Sequence, residues 1–182
     1  MNIAVYGPTG SGKTTVAHAI GEILDLPVIE LDALFHRPNW QPTPDEEFRA
    51  KVRSALDAAP RGWVCDGNFR VVQEIVLPQA DAVVWLRLPF RIVYWRLVKR
   101  TLTRGWRRER LWGTNTESLR LALLSRDSLL VWGITNWRPH QRKMRHLLAT
   151  TPHNATVHEL RSDAEIASFL EKLQVRRCSG GL

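Results

Sequence analysis

The chain has 182 residues, 44% of them apolar and 24% charged, with a net charge of +8. Those values are those of an ordinary soluble globular protein, long enough for one domain with a full hydrophobic core. No apolar run reaches the roughly 18 residues a membrane helix needs; the best, from Leu119 to Ile134, is broken by Arg120, Arg126 and Asp127.

Two cysteines, Cys65 in an apolar run and Cys178 near the end, supply no framework for disulfides or a metal cage. No basic leader precedes Ile3 to Tyr6, so no signal peptide is expected, and the protein is read as cytoplasmic with no membrane partner. The charge is unevenly placed. From Arg87 to Arg145 the chain carries 13 Arg and 2 Lys against Glu109, Glu117 and Asp127, while the remainder holds 11 basic and 15 acidic residues. A basic segment of that density suits something anionic, the phosphates of a nucleotide or of a nucleic acid. The plain alternative is a solvated basic face.

Asn2 to Tyr6 is a short apolar run stopped by Gly7-Pro8, which reads as a buried strand. From Lys13 the apolar positions Val16, Ile20, Ile23 and Leu24 recur at helical spacing, and Pro27 to Leu31 is a second strand. Thr43 to Glu46 opens a helix, with Thr43 as N-cap, Pro44 in the first turn and Glu46 closing a capping box. Its buried face is Phe48, Val52 and Leu56, and Pro60 to Gly62 ends it. Trp63 to Cys65 and Ala82 to Leu88 are further strands, and a helix follows from Pro89 to about Thr103. Residues 105–151 are helical in two or three pieces, one starting at Thr114-x-x-Glu117 and another interrupted by Pro139. Thr156 to Leu160 is the last strand. Ser162-x-x-Glu165 caps a final helix with Ile166, Phe169, Leu170 and Leu173 inward, and the tail from Arg176 to Leu182 is expected to fray. Short buried strands alternating with helices predict a doubly wound α/β core with a parallel five-stranded sheet.

Gly7-Pro-Thr-Gly-Ser-Gly12-Lys13-Thr14 satisfies the Walker A pattern between a strand and a helix. Glycines let consecutive backbone N–H groups wrap a phosphate, and the helix that begins near Lys13 adds the positive end of its dipole. The expected cofactors are ATP and Mg²⁺. Gly7, Thr9, Gly10, Ser11, Gly12, Lys13, Thr14 and Thr15 form the nucleotide site, with Lys13 on the β- and γ-phosphates and the Thr14 hydroxyl on the metal. Asp66, at the carboxyl end of a buried strand, suits a second metal-holding group, directly or through water. Its alternative is a simple Asp66-Gly67 turn.

These residues resemble a family. Asp66-Gly-Asn-Phe-Arg70 is similar to the Asp-Gly-Phe-Pro-Arg segment of adenylate kinases, where the Arg grips the acceptor's phosphate. Arg96 and Arg100 fall at the spacing of the arginine pair that opens the adenylate kinase lid, with Lys99 in place of that motif's glycine. Glu30-Leu31-Asp32 resembles the acidic pair after the second strand of shikimate kinases, which holds Mg²⁺ and the acceptor hydroxyl. Leu31-Asp32-x-Leu34-Phe35, Pro38-Asn-Trp40 and Trp63-x-x-Asp66-Gly-Asn68 are similar to the adenylate-kinase-like proteins labelled DNA topology modulation proteins, over about residues 1–175. The resemblance implies a P-loop kinase fold. Its core would be residues 1–31, 61–104 and 152–175, with an acceptor-covering segment at 32–60 and a helical, arginine-rich lid at 105–151.

Asp32 follows the second strand at the sheet's carboxyl edge and suits orienting or deprotonating an acceptor hydroxyl, or else a helix or turn cap. Arg70 suits bidentate grip of an acceptor phosphate or carboxylate, or else is a surface arginine with no special partner. Arg96, Arg100 and Arg104 share one helix face, a pattern that fits a clamp on a transferring phosphoryl group. Arg107, Arg108 and Arg110 extend that set, and Arg126 and Arg138 are weaker lid candidates. His36, Asn39 and Trp40 are candidates for the acceptor pocket. Trp95, Trp106, Trp112, Trp132 and Trp137 suit either base stacking or helix packing. The leading expectation is an ATP-dependent phosphotransferase acting on a nucleotide, nucleoside or small hydroxyl metabolite. The other is a nucleic-acid-associated ATPase using residues 87–145, although no helix-turn-helix, zinc or RNP-type signature is present.

Overall fold

The computed structural model describes residues 1–38, 41–107, 110–111, 115–116 and 129–179, with side chains at all of these except 100–102, 104–107, 110–111, 115–116 and 129–136. The chain runs β1 (Asn2–Tyr6), α1 (Lys13–Leu24), β2 (Val28–Glu30), α2 (Leu31–Phe35), α3 (Asp45–Asp57), β3 (Trp63–Asp66) and α4 (Arg70–Val76). A 3₁₀ turn at Leu77–Gln79 leads to β4 (Ala82–Leu86), α5 (Phe90–Arg107), β5 (Arg110–Leu111) and β6 (Asn115–Thr116). The long α6 (Leu129–Thr150), β7 (Thr156–Leu160) and α7 (Asp163–Cys178) complete it. Five strands form one parallel sheet in the order β2-β3-β1-β4-β7.

The period of two along a strand divides the core. Ile3 and Val5 of β1 face α1 and α7, in a cluster with Val16, Ile20, Val84 and Leu173. Ala4 and Tyr6 face the other way, into a cluster with Phe48, Val52, Val72, Trp85 and Met144. That second cluster is roofed by α2, α3, α4 and α6. Helices therefore cover both faces, as strands buried on both sides require. Among the described residues no helix is long and apolar enough to cross a membrane.

Several local expectations give way to tertiary partners. Thr43 is not the cap of α3: Pro44 holds that position, and no side chain caps it. The Thr43 hydroxyl instead donates to the Leu34 carbonyl at 3.1 Å, and its N–H to Phe35 O at 2.8 Å. Carbonyls at the end of a short helix lack intrahelical partners, so buried Thr43 is drawn to α2. Asp45, Glu46 and Glu47 meet the α3 dipole in place of a cap.

Pro139 does not interrupt its helix; α6 continues through it to Thr150. One lost backbone bond is outweighed there by packing of Met144, Leu147 and Leu148 on the core. The segment 105–151 is not helical throughout, because β5 and β6 pair as an antiparallel ribbon. The start expected at Thr114-x-x-Glu117 lies outside the described residues. Nor does the chain fray at Arg176. α7 runs to Cys178, and the Arg177 guanidinium donates to the carbonyls of Glu22 and Ile23 near the end of α1, where a cation suits the dipole. Leu31 opens α2 rather than closing a strand, and β4 ends at Leu86, not Leu88. Ser162 caps α7 as expected, its hydroxyl accepting from the Glu165 N–H at 3.1 Å.

Phe48 of α3 joins the parts that carry Asp32 and Arg70. Its ring lies 5.2 Å from that of Phe35 in α2 and 5.1 Å from that of Phe69 beside α4. Phe48 is fully buried. Phe48→Ala is expected to cost about 3–5 kcal/mol in denaturant unfolding. A loss below about 1 kcal/mol would show that this aromatic junction does not hold the two segments.

Candidate active site

The loop from Gly7 to Gly12 leaves the carboxyl end of the central strand and is pressed against α5. At Gly10, φ is 85°, and a Cβ would stand 2.8 Å from the Val93 carbonyl oxygen, so glycine is required on both grounds. Gly12 is the N-cap of α1 and makes no side-chain cap hydrogen bond. The start of the helix and the positive end of its dipole suit an anion. Lys13 Nζ lies across the loop, 3.4 Å from the Pro8 carbonyl oxygen.

Parallel pairing sets Asp66 beside Val5, so its carboxylate reaches the mouth of the loop. The Thr14 hydroxyl donates to Asp66 Oδ2 at 2.6 Å. Asp66 is 4% exposed, and its other oxygen, Oδ1, has no partner among the described residues. Burial raises the carboxyl pKa; the charge of Lys13 and the Thr14 hydrogen bond oppose the rise, and Asp32 and Glu30 add to it. A threonine hydroxyl beside a carboxylate with a spare oxygen fits Mg²⁺, a hard ion content with few protein ligands. Among the described residues no group of three or more His, Cys, Asp or Glu forms a closed metal cage.

Asn68 carries a contact that motif reading does not assign. Its Oδ1 accepts from the Gly7 N–H at 3.1 Å, and its Nδ2 donates to the Gly7 carbonyl. One amide thus grips both polar groups of the first P-loop residue. The turn that delivers it needs Gly67, at φ 143°, where a Cβ would lie 2.8 Å from Leu31 Cβ. An asparagine just after Asp-Gly is the only sequence signal, and it reads equally as a turn residue.

The other expected groups are spread around this centre. Asp32 lies in the first turn of α2, half-exposed, with His36 Nε2 4.0 Å away. Glu30 is taken by His18, at 2.8 Å. Arg70 opens α4 and is exposed, with no hydrogen bond or ion pair among the described residues. Arg96 stands beside the loop, donating to the Ser11 carbonyl at 3.3 Å and to Asp163 Oδ1 at 2.6 Å. Arg100, Arg104, Arg107 and Arg110 have backbone positions only, so their contacts lie outside the described residues, as do Arg108 and Arg126. Arg138 is exposed on α6. His36 packs edge-on to Phe35, and Asn39 and Trp40 lie outside the described residues. Trp95 is 68% exposed, whereas Trp137 packs on Phe90 with ring centroids 5.8 Å apart. Trp112 and the side chains of Trp106 and Trp132 lie outside the described residues.

Comparison with known proteins bears on the fold that carries this site. The fold is that of the P-loop kinases. A shikimate kinase from Acinetobacter baumannii, solved in complex with shikimate, superposes with a TM-score of 0.57 at 19% identity, over 100% of this chain and 94% of that one. A shikimate kinase from Bacteroides thetaiotaomicron gives a TM-score of 0.54 at 18% identity, over 96% and 97%. Residues 3–62 match the family described as ATPase family associated with various cellular activities (AAA), a stretch that holds the P-loop and stops short of Asp66. No curated protein matches the sequence.

Two predictions follow from Asp66 and Asn68. Because the folded carboxyl holds its proton to higher pH than the unfolded one, ionising it costs stability. That cost is absent below the ordinary carboxylate range and complete above the raised value. Asp66→Asn should therefore raise the melting temperature of the ligand-free protein at neutral pH, with the gain shrinking as pH falls from the raised value to the ordinary carboxylate range. A gain independent of pH would contradict this. Asn68→Ala removes two hydrogen bonds and should weaken ATP binding about tenfold by calorimetry. Unchanged affinity would show that the loop holds its shape without the amide.

Proposed function

We propose that the protein is an ATP- and Mg²⁺-dependent phosphotransferase that moves the γ-phosphoryl group of ATP to a nucleotide, a nucleoside or a small hydroxyl metabolite. The carrying observation is the Thr14–Asp66 hydrogen bond at 2.6 Å, set where the P-loop meets α1. The hydroxyl and carboxylate would hold the metal, which when bound would neutralise phosphate charge.

The chain's own residues do the rest by positioning and electrostatics. Backbone N–H groups of Gly10, Gly12, Lys13, Thr14 and Thr15 cradle the phosphates, and the Lys13 ammonium neutralises the charge that gathers on the transferring group. Asp32 orients the acceptor hydroxyl or takes its proton, and Arg70 holds an anionic group of the acceptor. Arg96, Arg100 and Arg104 serve the lid side. The core at 1–31, 61–104 and 152–175 is fixed in this reading, while 32–60 covers the acceptor and 105–151 forms the lid. The shikimate kinase solved with shikimate supports a small hydroxylated acceptor. The adenylate-kinase-like segments support a nucleotide and the topology modulation group.

A second reading has one observation of its own. Arg91, Trp95 and Lys99 form an exposed stripe at four-residue spacing along α5, with Trp95 68% exposed. A tryptophan between two cations suits a single-stranded nucleic acid, which favours a nucleic-acid-associated ATPase.

ADP production with MgATP decides between them, measured alone, with nucleoside monophosphates, nucleosides and small hydroxy acids, and with DNA or RNA. Phosphotransfer predicts one small acceptor that stimulates turnover, a loss of about 10²–10³-fold in Lys13→Ala, and about a tenfold or larger rise in acceptor KM in Arg70→Ala. Stimulation by nucleic acid alone, falling steeply with salt, would replace this reading by the second.

A further inference from the structure

The face of the sheet beneath α6 holds polar groups that the phosphate-handling residues leave unused. Tyr6 and Trp85 are register partners near the carboxyl ends of β1 and β4. They are 1% and 3% exposed and belong to one cluster with Met144 of α6. Neither the Tyr6 hydroxyl nor Trp85 Nε1 has a hydrogen-bond partner among the described residues. One turn before Met144, Gln141 is 7% exposed, and neither its amide oxygen nor its nitrogen finds a partner among the described residues. His140 buries an unpartnered Nδ1, and Trp137 buries an unpartnered Nε1.

The topology puts these groups at the ligand edge. α6 hands the chain to Thr156, which pairs with Ala82 at the start of β4, so the helix descends from the carboxyl edge of the sheet to the amino edge. Residues 137–141 therefore stand above Met144, toward the P-loop. Trp137 touches Phe90, which opens α5 just beyond β4. Burial, helped by the charges of Lys13 and then Lys143, lowers the His140 pKa to about 4.

Buried polar groups without partners are rare, and several on one wall mark a place where something else completes the hydrogen bonds. The chemistry of the wall is neutral. Trp85 offers a donor, Gln141 both a donor and an acceptor, and His140 is uncharged at neutral pH. Burial pushes the Tyr6 phenol far upward, so it stays protonated and donates. An anion held here would be desolvated with no countercharge from these groups, whereas a hydroxyl both donates and accepts.

We infer that the buried face of α6, with Gln141 at its centre and Tyr6 and Trp85 beneath it, is a specificity wall of the acceptor site that binds an uncharged, hydroxyl-bearing part of the acceptor. This rests on the phosphotransferase reading. Asp32 and Arg70 belong to α2 and α4, which roof the same face of the sheet as α6. The wall thus fixes the hydroxylated part of a molecule whose anionic part falls to Arg70.

The experiment is a cycle between Gln141→Leu and a hydroxyl of the acceptor. Full-length protein with MgATP is assayed with AMP, adenosine and ribose, each beside its 2-deoxy counterpart. With the most active pair, removal of the hydroxyl should lower kcat/KM about tenfold or more in the native protein but less than about threefold in Gln141→Leu. Equal losses in both proteins would overturn the wall. So would a Gln141→Leu defect that shifts the KM for ATP and the melting temperature as much as the acceptor KM, which would assign Gln141 to bound water and packing. Turnover that survives Lys13→Ala would instead sink the phosphotransferase reading itself. If no pair supports turnover, adenosine and ribose are titrated in MgADP while tryptophan fluorescence is followed. A response lost in Gln141→Leu supports the wall, and no Gln141-dependent response overturns it.

Discussion

The site depends on the parallel pairing of β1 with β3. Asp66 is the register partner of Val5, so the end of one strand lies beside the start of the P-loop that the other launches. From that alignment the carboxylate reaches Thr14, and the turn beyond it brings Asn68 onto Gly7. A register slip of one residue would turn every β3 side chain to the opposite face, removing the carboxylate and unpacking Cys65 from the core together. Stability and the proposed phosphate chemistry therefore select the same register.

The arrangement carries a cost that a bound cation would offset. A carboxylate 4% exposed is disfavoured in the charged form, and Lys13 and Thr14 offset only part of that penalty. Such an uncompensated group is expected where a cation is to be bound, since perturbed acids gather at sites of chemistry. The glycines of the loop show the same exchange. They weaken the chain locally, yet Gly10 lets the backbone approach α5 more closely than any side chain permits.

The two halves of the core have different tasks. The cluster under α1 and α7 is apolar support, closed by the Ser162 cap and by Arg177 on the end of α1. The opposite cluster is roofed by short helices joined through Phe35, Phe48 and Phe69, and by α6, whose Gln141 side chain has no hydrogen-bond partner among the described residues. Polar groups left open inside an otherwise well-packed face belong on the side where a ligand enters. Asp32 and Arg70 stand on that same side of the sheet.

The P-loop, the alternation of strands and helices, and the cap of α7 are legible in the residues alone. Each of these rests on residues within a few positions of one another, where spacing alone fixes the geometry. The five-stranded parallel sheet also followed, because short apolar strands between helices have few other ways to be buried. Tertiary structure decided the rest. Thr43 has capping spacing, yet its hydroxyl bonds a carbonyl nine residues earlier in the chain. Asn68 holds a residue 61 positions away, and Thr14 meets Asp66 across 52. Pro139 reads as a break but lies within a continuous α6, whose burial against the sheet is invisible in the local pattern. Gln141 carries no local signal, yet its side chain is 7% exposed in the folded chain. Local propensity ranks only the partners within a turn or two, and burial then chooses among all the groups that folding brings within reach.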